Sequence, residues 1–183
     1  PVRIPLDILI VYTANPEDYT NRGNIITPLR DRIASQIHTH YPPSVEDGIE
    51  ITQQESWTER KNGISITIPH YFKEIIEYIA VLARESEYID QKSGVSARLP
   101  ISCMENLISN IERRNINLGE KVPNPRICDL EAIVPSIVGK IELVYEGEQE
   151  GAVNVSRLLL GQAVKEVFSL YFPQVYVKVS DAS

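Results

Sequence analysis

The sequence has little that would staple a fold or embed it in a membrane. It carries only two cysteines, Cys103 and Cys128, far apart and without a second pair. That excludes a disulfide framework and a zinc knuckle and predicts buried thiols in a reducing compartment. No run approaches the ~18 apolar residues of a membrane span. No basic segment leads into an apolar run and a cleavage site either, so a cytoplasmic protein is expected. Positive charge is also scarce, with 25 acidic residues against 18 basic ones and a net charge of −7. A nucleic-acid coat would show a basic patch against the phosphates, and the nearest approach, Glu112-Arg113-Arg114, is too short. What is present is a chain of 183 residues, 43% hydrophobic and 23% charged, the composition of a globular protein. A chain of this size buries roughly 70% of the surface its unfolded form exposes, as one good-sized domain or two small ones.

The texture changes near residue 60. Before it, strands and helices alternate. Leu6-Asp7-Ile8-Leu9-Ile10-Val11-Tyr12 is a nearly continuous apolar run, which predicts a strand covered on both faces, ended by the Asn15-Pro16 turn. A short helix is expected from about Pro28 to Ile33. A strand is expected over Ser35 to Tyr41, where Ile37 and Thr39 alternate with His38 and His40 until Pro42-Pro43 stops them. Ser44 and Asp47 have capping-box spacing and open a helix from Val45 to about Trp57, with Trp57 read as core.

Beyond Asn62-Gly63 the pattern is helical. Phe72, Ile75, Ile76, Ile79, Leu82 and Ala83 recur at three- and four-residue steps, an amphipathic stripe. A second helix is expected from Ser96 to about Ile116, burying Leu99, Met104, Leu107, Ile108 and Ile111 and ended by Gly119 and Pro123. A third starts near Asp129 with Leu130, Ile133, Val134 and Ile137 inward, and Pro135 predicts a kink or a break. Gly147 to Gly151 reads as an acidic linker, and a last helix runs from Val153 to about Phe172. Gln174 to Ser180 alternates like a strand. The expected fold is mostly α with a partial α/β layer: residues 1–60 form the α/β piece and residues 61–183 the helical part.

Three features could carry chemistry. Asn15 is a carboxamide at the end of a buried strand, where ligands gather in open α/β sheets, and an amide there can hold a water by donating and accepting at once. Its ordinary reading is a turn asparagine before proline. Thr27-Pro28-Leu29-Arg30-Asp31-Arg32-Ile33 puts two guanidiniums on a short exposed helix. An arginine projected into a neighbour's phosphate site is worth about 10³–10⁵ in rate, whereas surface ion pairs with Asp31 are worth about 0–1 kcal/mol. Gly94-Val95-Ser96-Ala97-Arg98 opens a helix, a place where backbone N–H groups favour an anion and where Arg98 adds a fork for phosphate oxygens. The helix dipole would rather have an acid there than a base.

Other constellations are weaker. His38 and His40 share one face of the expected strand, but no third ligand stands at a metal-site spacing, and no metal site is expected. Glu146, Glu148 and Glu150 lack the glycine-centred pattern of a calcium loop. Ser102, Ser109 and Ser136 have no nucleophile-elbow context.

The order of the three features says more than any one of them. A strand ending in Ala14-Asn15-Pro16, then Pro28-Leu29-Arg30-Asp31-Arg32, then a helical segment with Gly94-Val95-Ser96-Ala97-Arg98 resembles the second half of an AAA+ ATPase. It looks most like the magnesium chelatase I-subunit and MoxR-like branch, whose members carry G-N-P after the sensor strand and P-x-L-L-D-R-F beyond it. Arg30 stands where that family has leucine, and Ile33 replaces the phenylalanine. From about Leu6 to Phe172 the resemblance implies the end of an AAA+ core sheet followed by an all-helical lid. It implies Asn15 as sensor 1 and Arg32 as arginine finger, both catalytic, and Arg98 as a nucleotide-binding sensor 2. It further implies a ring-shaped homo-oligomer assembled through the core, a client or co-subunit protein, and ATP and Mg²⁺ as ligands of the intact protein. Nucleic acid and membrane are not among the implied partners. There is no G-x-x-x-x-G-K-[ST] and no apolar strand ending in paired acids, so the phosphate cradle and the Mg²⁺ ligands are missing. Together with a buried-looking strand so close to Pro1, this makes the chain read as the C-terminal part of a longer ATPase, binding no cofactor and hydrolysing nothing alone. The alternative is a stand-alone helical interaction module that docks through its acidic surface.

Overall fold

The computed structural model describes residues 7–13, 31–58, 60, 66–120 and 123–173. They belong to two units, divided in sequence between His40 and Tyr41. The described residues of the first unit contain neither helix nor strand. Residues Ile8 to Tyr12 are all exposed, Leu9 at 91%, and Ile37 is exposed at 87%. The strands expected over Leu6–Tyr12 and Ser35–Tyr41 are therefore not formed among the described residues. An apolar run becomes a buried strand only when neighbours accept its ladder hydrogen bonds and cover its faces. Leu6, Asn15, residues 28–30 of the short helix and the expected tail strand at 174–180 lie outside the described residues.

The second unit is helical. Its elements are α1 (Val45–Glu55), α2 (His70–Glu85), α3 (Arg98–Leu118), a 3₁₀ segment (Ile127–Ile133) running into α4 (Val134–Val138), α5 (Tyr145–Glu150) and α6 (Ala152–Tyr171). Among the described residues no strand forms, and a single isolated antiparallel bridge joins Ile89 to Leu143.

The sequence explains most of these boundaries. The Ser44 hydroxyl accepts the Asp47 N–H at 3.1 Å and donates to the Asp47 carboxylate at 2.5 Å, a cap that satisfies an orphan donor of α1. Gly119, at φ +61°, ends α3 in the left-handed region and donates its N–H to Asn115 O. Pro135 falls in the first turn of α4, where its missing N–H costs nothing. The expected break is thus a change from 3₁₀ to α winding just before it. Asp129 accepts the Arg126 N–H at 2.7 Å and caps the 3₁₀ segment.

The α2 stripe makes the core. Phe72, Ile76 and Ile79 meet Leu99, Leu107 and Ile111 of α3 and Ile133, Ile137 and Val155 from the later elements, all fully buried. Each such side chain contributes about 1.5–3 kcal/mol. α2 packs chiefly on α6 and also on α3 and α1, while α4 packs on α6. Polar ties close the periphery. Arg60 pairs with Glu112 at 2.5 Å, and Arg114 pairs with Asp129 and Glu120. Within the charged run, Glu112 and Arg114 are thus taken up by ties to other segments, and Arg113 donates to Asn110 of its own helix. No helix among the described residues is long and apolar enough to cross a membrane.

Three expectations are corrected. Trp57 is not core but 65% exposed, with the Arg60 guanidinium 5.2 Å from its ring centre. Cys128 is exposed and only Cys103 is buried. The segment read as an acidic linker forms α5 because Gly147 lets its first turn settle on the Tyr88 carbonyl, which also accepts the Val144 N–H at 3.1 Å. A Cβ on Gly147 would overlap that carbonyl oxygen and lie 3.2 Å from Leu143 Cβ.

Alanine ordinarily favours a helix over glycine by about 1 kcal/mol. Gly147→Ala is instead expected to destabilise by about 1–3 kcal/mol, read as a lower denaturant midpoint; an unchanged or higher midpoint would show that this contact is dispensable. Burial, with Glu77 adding to it, pushes the Cys103 thiol up to about 12. One thiol per chain, that of Cys128, should therefore react with an aromatic disulfide reagent in the native state, and the second only after denaturation. Fast native reaction of both would mean that the core opens around Cys103.

Candidate functional site

The loop that leads into α3 is fixed from both sides. Gly94 adopts φ +67°, a conformation open to glycine at little cost, and a Cβ there would lie 2.6 Å from the Tyr41 hydroxyl. The next residue, Val95, is buried and donates its N–H to that hydroxyl at 3.1 Å. Its carbonyl accepts from Arg84 Nε at 3.4 Å. The Arg84 guanidinium in turn stacks 4.0 Å from the centre of the Tyr41 ring, a cation–π contact worth about 0.5–2 kcal/mol.

Behind Tyr41 lies a cavity of about 410 Å³ lined by Tyr41, Pro42, Pro43, Glu77, Val81 and Arg84 among others. Glu77 is only 5% exposed and accepts the Thr52 hydroxyl at 2.5 Å. Burial holds its carboxyl above the ordinary value of 4.5, with the Thr52 bond and the Arg84 charge opposing the shift. Burial draws Arg84 down, against the pull of Tyr41 and Glu77. Gly48 makes room for this carboxylate, since a Cβ there would lie 2.5 Å from Glu77 Oε2. The cavity thus offers a buried carboxyl, a guanidinium and a phenol, a polar set suited to orienting a ligand.

Arg98 is the first residue of α3 and is exposed. The backbone anion site expected at this helix start is largely spent on its own turn. The Arg98 N–H goes to Ser96 Oγ at 3.2 Å, the Leu99 N–H goes to Ser96 O at 2.9 Å, and Pro100 has no N–H. What remains for an anion is the guanidinium. Arg60, Arg84, Arg113, Arg114, Arg126 and Arg157 each donate to an acceptor within the fold. Among the described residues of the helical unit, Arg98 is the one arginine whose side chain has no such acceptor.

Asn15 and Arg30 lie outside the described residues. Arg32 is exposed in the first unit. His38 is also exposed, and neither His38 nor His40 joins a metal-ligating cluster among the described residues. Tyr41, Glu77 and Arg84 went unread in the sequence. Their signal was an acid and a base seven residues apart on the rim of the α2 stripe, two turns along one face. No protein-family model matches the chain, and neither do curated proteins or solved structures.

Because Glu77 has a raised native pKa, its contribution to stability is full below pH 4.5 and is lost as the pH climbs through that native value. The unfolding free energy of Glu77→Gln relative to the parent should therefore rise with pH over that window and level off above it, in denaturant titrations at stepped pH. Parallel pH profiles would show that the carboxyl titrates normally in the fold.

Proposed function

We infer that this chain supplies the nucleotide-sensing residues of an AAA+ ATPase of the magnesium chelatase I-subunit and MoxR-like branch. Asn15 serves as sensor 1, Arg32 as the arginine finger presented to a neighbouring subunit, and Arg98 as sensor 2 on the helical lid. The observation that carries the reading is the Arg98 guanidinium, without an acceptor at the head of a 21-residue helix in a unit whose other described arginines are engaged. Its planar fork fits phosphate oxygens.

The phosphate cradle and Mg²⁺ ligands of such a site belong to sequence beyond this chain, which has no glycine-rich P-loop. Bound ATP supplies the phosphoryl group. This chain's residues supply fixed positive charge around it, the kind of electrostatic stabilisation that acts without reorganising. The intact machine is a homo-oligomeric ring that acts on a client or co-subunit protein, in metal insertion or remodelling.

Arg98→Ala in the intact ATPase should weaken ATP more than ADP, because a charge-assisted contact of about 1.5–3 kcal/mol is lost only where the γ-phosphate exists. Arg98→Lys should recover little, since a point charge does not reproduce the fork. Equal weakening for the two nucleotides, measured by calorimetry, would reduce Arg98 to a structural residue of the helical unit.

A further inference from the structure

At the opposite end of α2, a second cluster gathers without any relation to nucleotide. Glu46 in the first turn of α1 and His70 and Glu74 at the head of α2 bring three ligand atoms within 4.8 Å of one another. His70 Nε2 lies 3.4 Å from Glu46 Oε1 and 3.8 Å from Glu74 Oε1. Around a tetrahedral zinc ion with bonds of about 2.0–2.1 Å, neighbouring ligand atoms stand about 3.3–3.4 Å apart. The His70–Glu46 edge already has that length and the His70–Glu74 edge exceeds it by a few tenths of an ångström.

The support around these atoms favours ligation. His70 and Glu74 are four residues apart on one helix face, so α2 itself fixes two donors. Tyr171 of α6 donates its hydroxyl to Glu74 Oε2 at 2.8 Å; that bond occupies one carboxylate oxygen and leaves Oε1 toward His70. Outer hydrogen bonds of this kind orient carboxylate ligands and raise affinity about 10–100-fold. The ammonium of the neighbouring Lys73 is held by Gln53 and does not neutralise the pair of acids. The side chains of His70 and Glu46 are 50% and 66% exposed, which leaves an entry path and room for water.

We propose that Glu46, His70 and Glu74 form a binding site for one first-row divalent cation, with zinc the best fit and water completing the coordination. One imidazole and two carboxylates make a borderline donor set that suits zinc, nickel or cobalt. Magnesium, which holds oxygen ligands and several waters in an octahedron, is the poorer match. The bound ion ties α1 to α2 and, through Tyr171, couples both to α6.

The test is titration of the full chain with Co²⁺, then displacement by Zn²⁺, followed by visible absorption and calorimetry. One Co²⁺ per chain with a tetrahedral visible band is expected, with Zn²⁺ raising the thermal midpoint. His70→Gln and Glu46→Gln should each weaken binding at least about 10-fold and abolish the Zn²⁺-induced midpoint shift. Tyr171→Phe should keep the stoichiometry and lower the affinity about 10-fold. Cys128→Ser and the double change His38→Gln, His40→Gln should leave the affinity unchanged. All substituted positions are exposed, and circular dichroism confirms that the variants are folded. Binding that survives in His70→Gln and Glu46→Gln, binding lost in the Cys128 or His38/His40 variants, or no saturation below millimolar metal would overturn the site.

Discussion

The helical unit depends on one constraint, burial of the α2 stripe. Phe72, Ile76, Ile79, Ala80 and Ala83 are fully buried. Once that stripe faces inward, the rotation of α2 about its axis is fixed, because a 3.6-residue period leaves no second way to bury the same set. Everything else that α2 carries follows from that rotation. Glu77 and Arg84 come to the rim nearest α1 and the loop before α3, while His70 and Glu74 come to the end where α1 begins and α6 finishes. Two polar clusters on one helix, one at its head and one running from its middle to its C-terminal end, are thus consequences of a single hydrophobic choice.

The periodic features were the legible ones. The α2 stripe and the inward face of α3, with Leu99, Met104, Leu107, Ile108 and Ile111, are present as read. So are the Ser44 cap and the Gly119 stop. Each rests on interactions between residues a few positions apart, which a sequence displays directly. What was not legible depends on distant partners. Trp57 looks like core but is exposed, beside the guanidinium of Arg60, which is itself tied to Glu112 of α3. Gly147 looks like linker until the Tyr88 carbonyl is found against it. The run Leu6 to Tyr12 has the composition of a buried strand, yet composition supplies neither the ladder partners nor the covering layer, and its described residues are exposed.

The candidate site shows the same division. Gly94 and Arg98 stand out in the sequence because a glycine before a helix and a base at its start are locally unusual. Tyr41 is invisible by that route, since it lies 54 residues from the Val95 N–H it accepts. Tyr41 and Arg84 nevertheless set the geometry. Tyr41 accepts the Val95 N–H and Arg84 donates to the Val95 carbonyl, so both backbone groups of this residue before α3 are held. A guanidinium carried on four flexible bonds loses less entropy on meeting a ligand when its backbone is already fixed.

The pattern of arginine use argues in the same direction. Six of the described arginines in this unit, three of them exposed, donate to acceptors within the fold. Arg98 stands at the first position of its helix, beside the positive pole of the dipole. An arginine there costs a few tenths of a kcal/mol rather than gaining it. No contact within the described residues offsets that cost. That unoffset charge is what the proposed role of Arg98 accounts for: with the backbone N–H groups of its turn engaged by Ser96, a phosphate ligand would be met by the guanidinium fork.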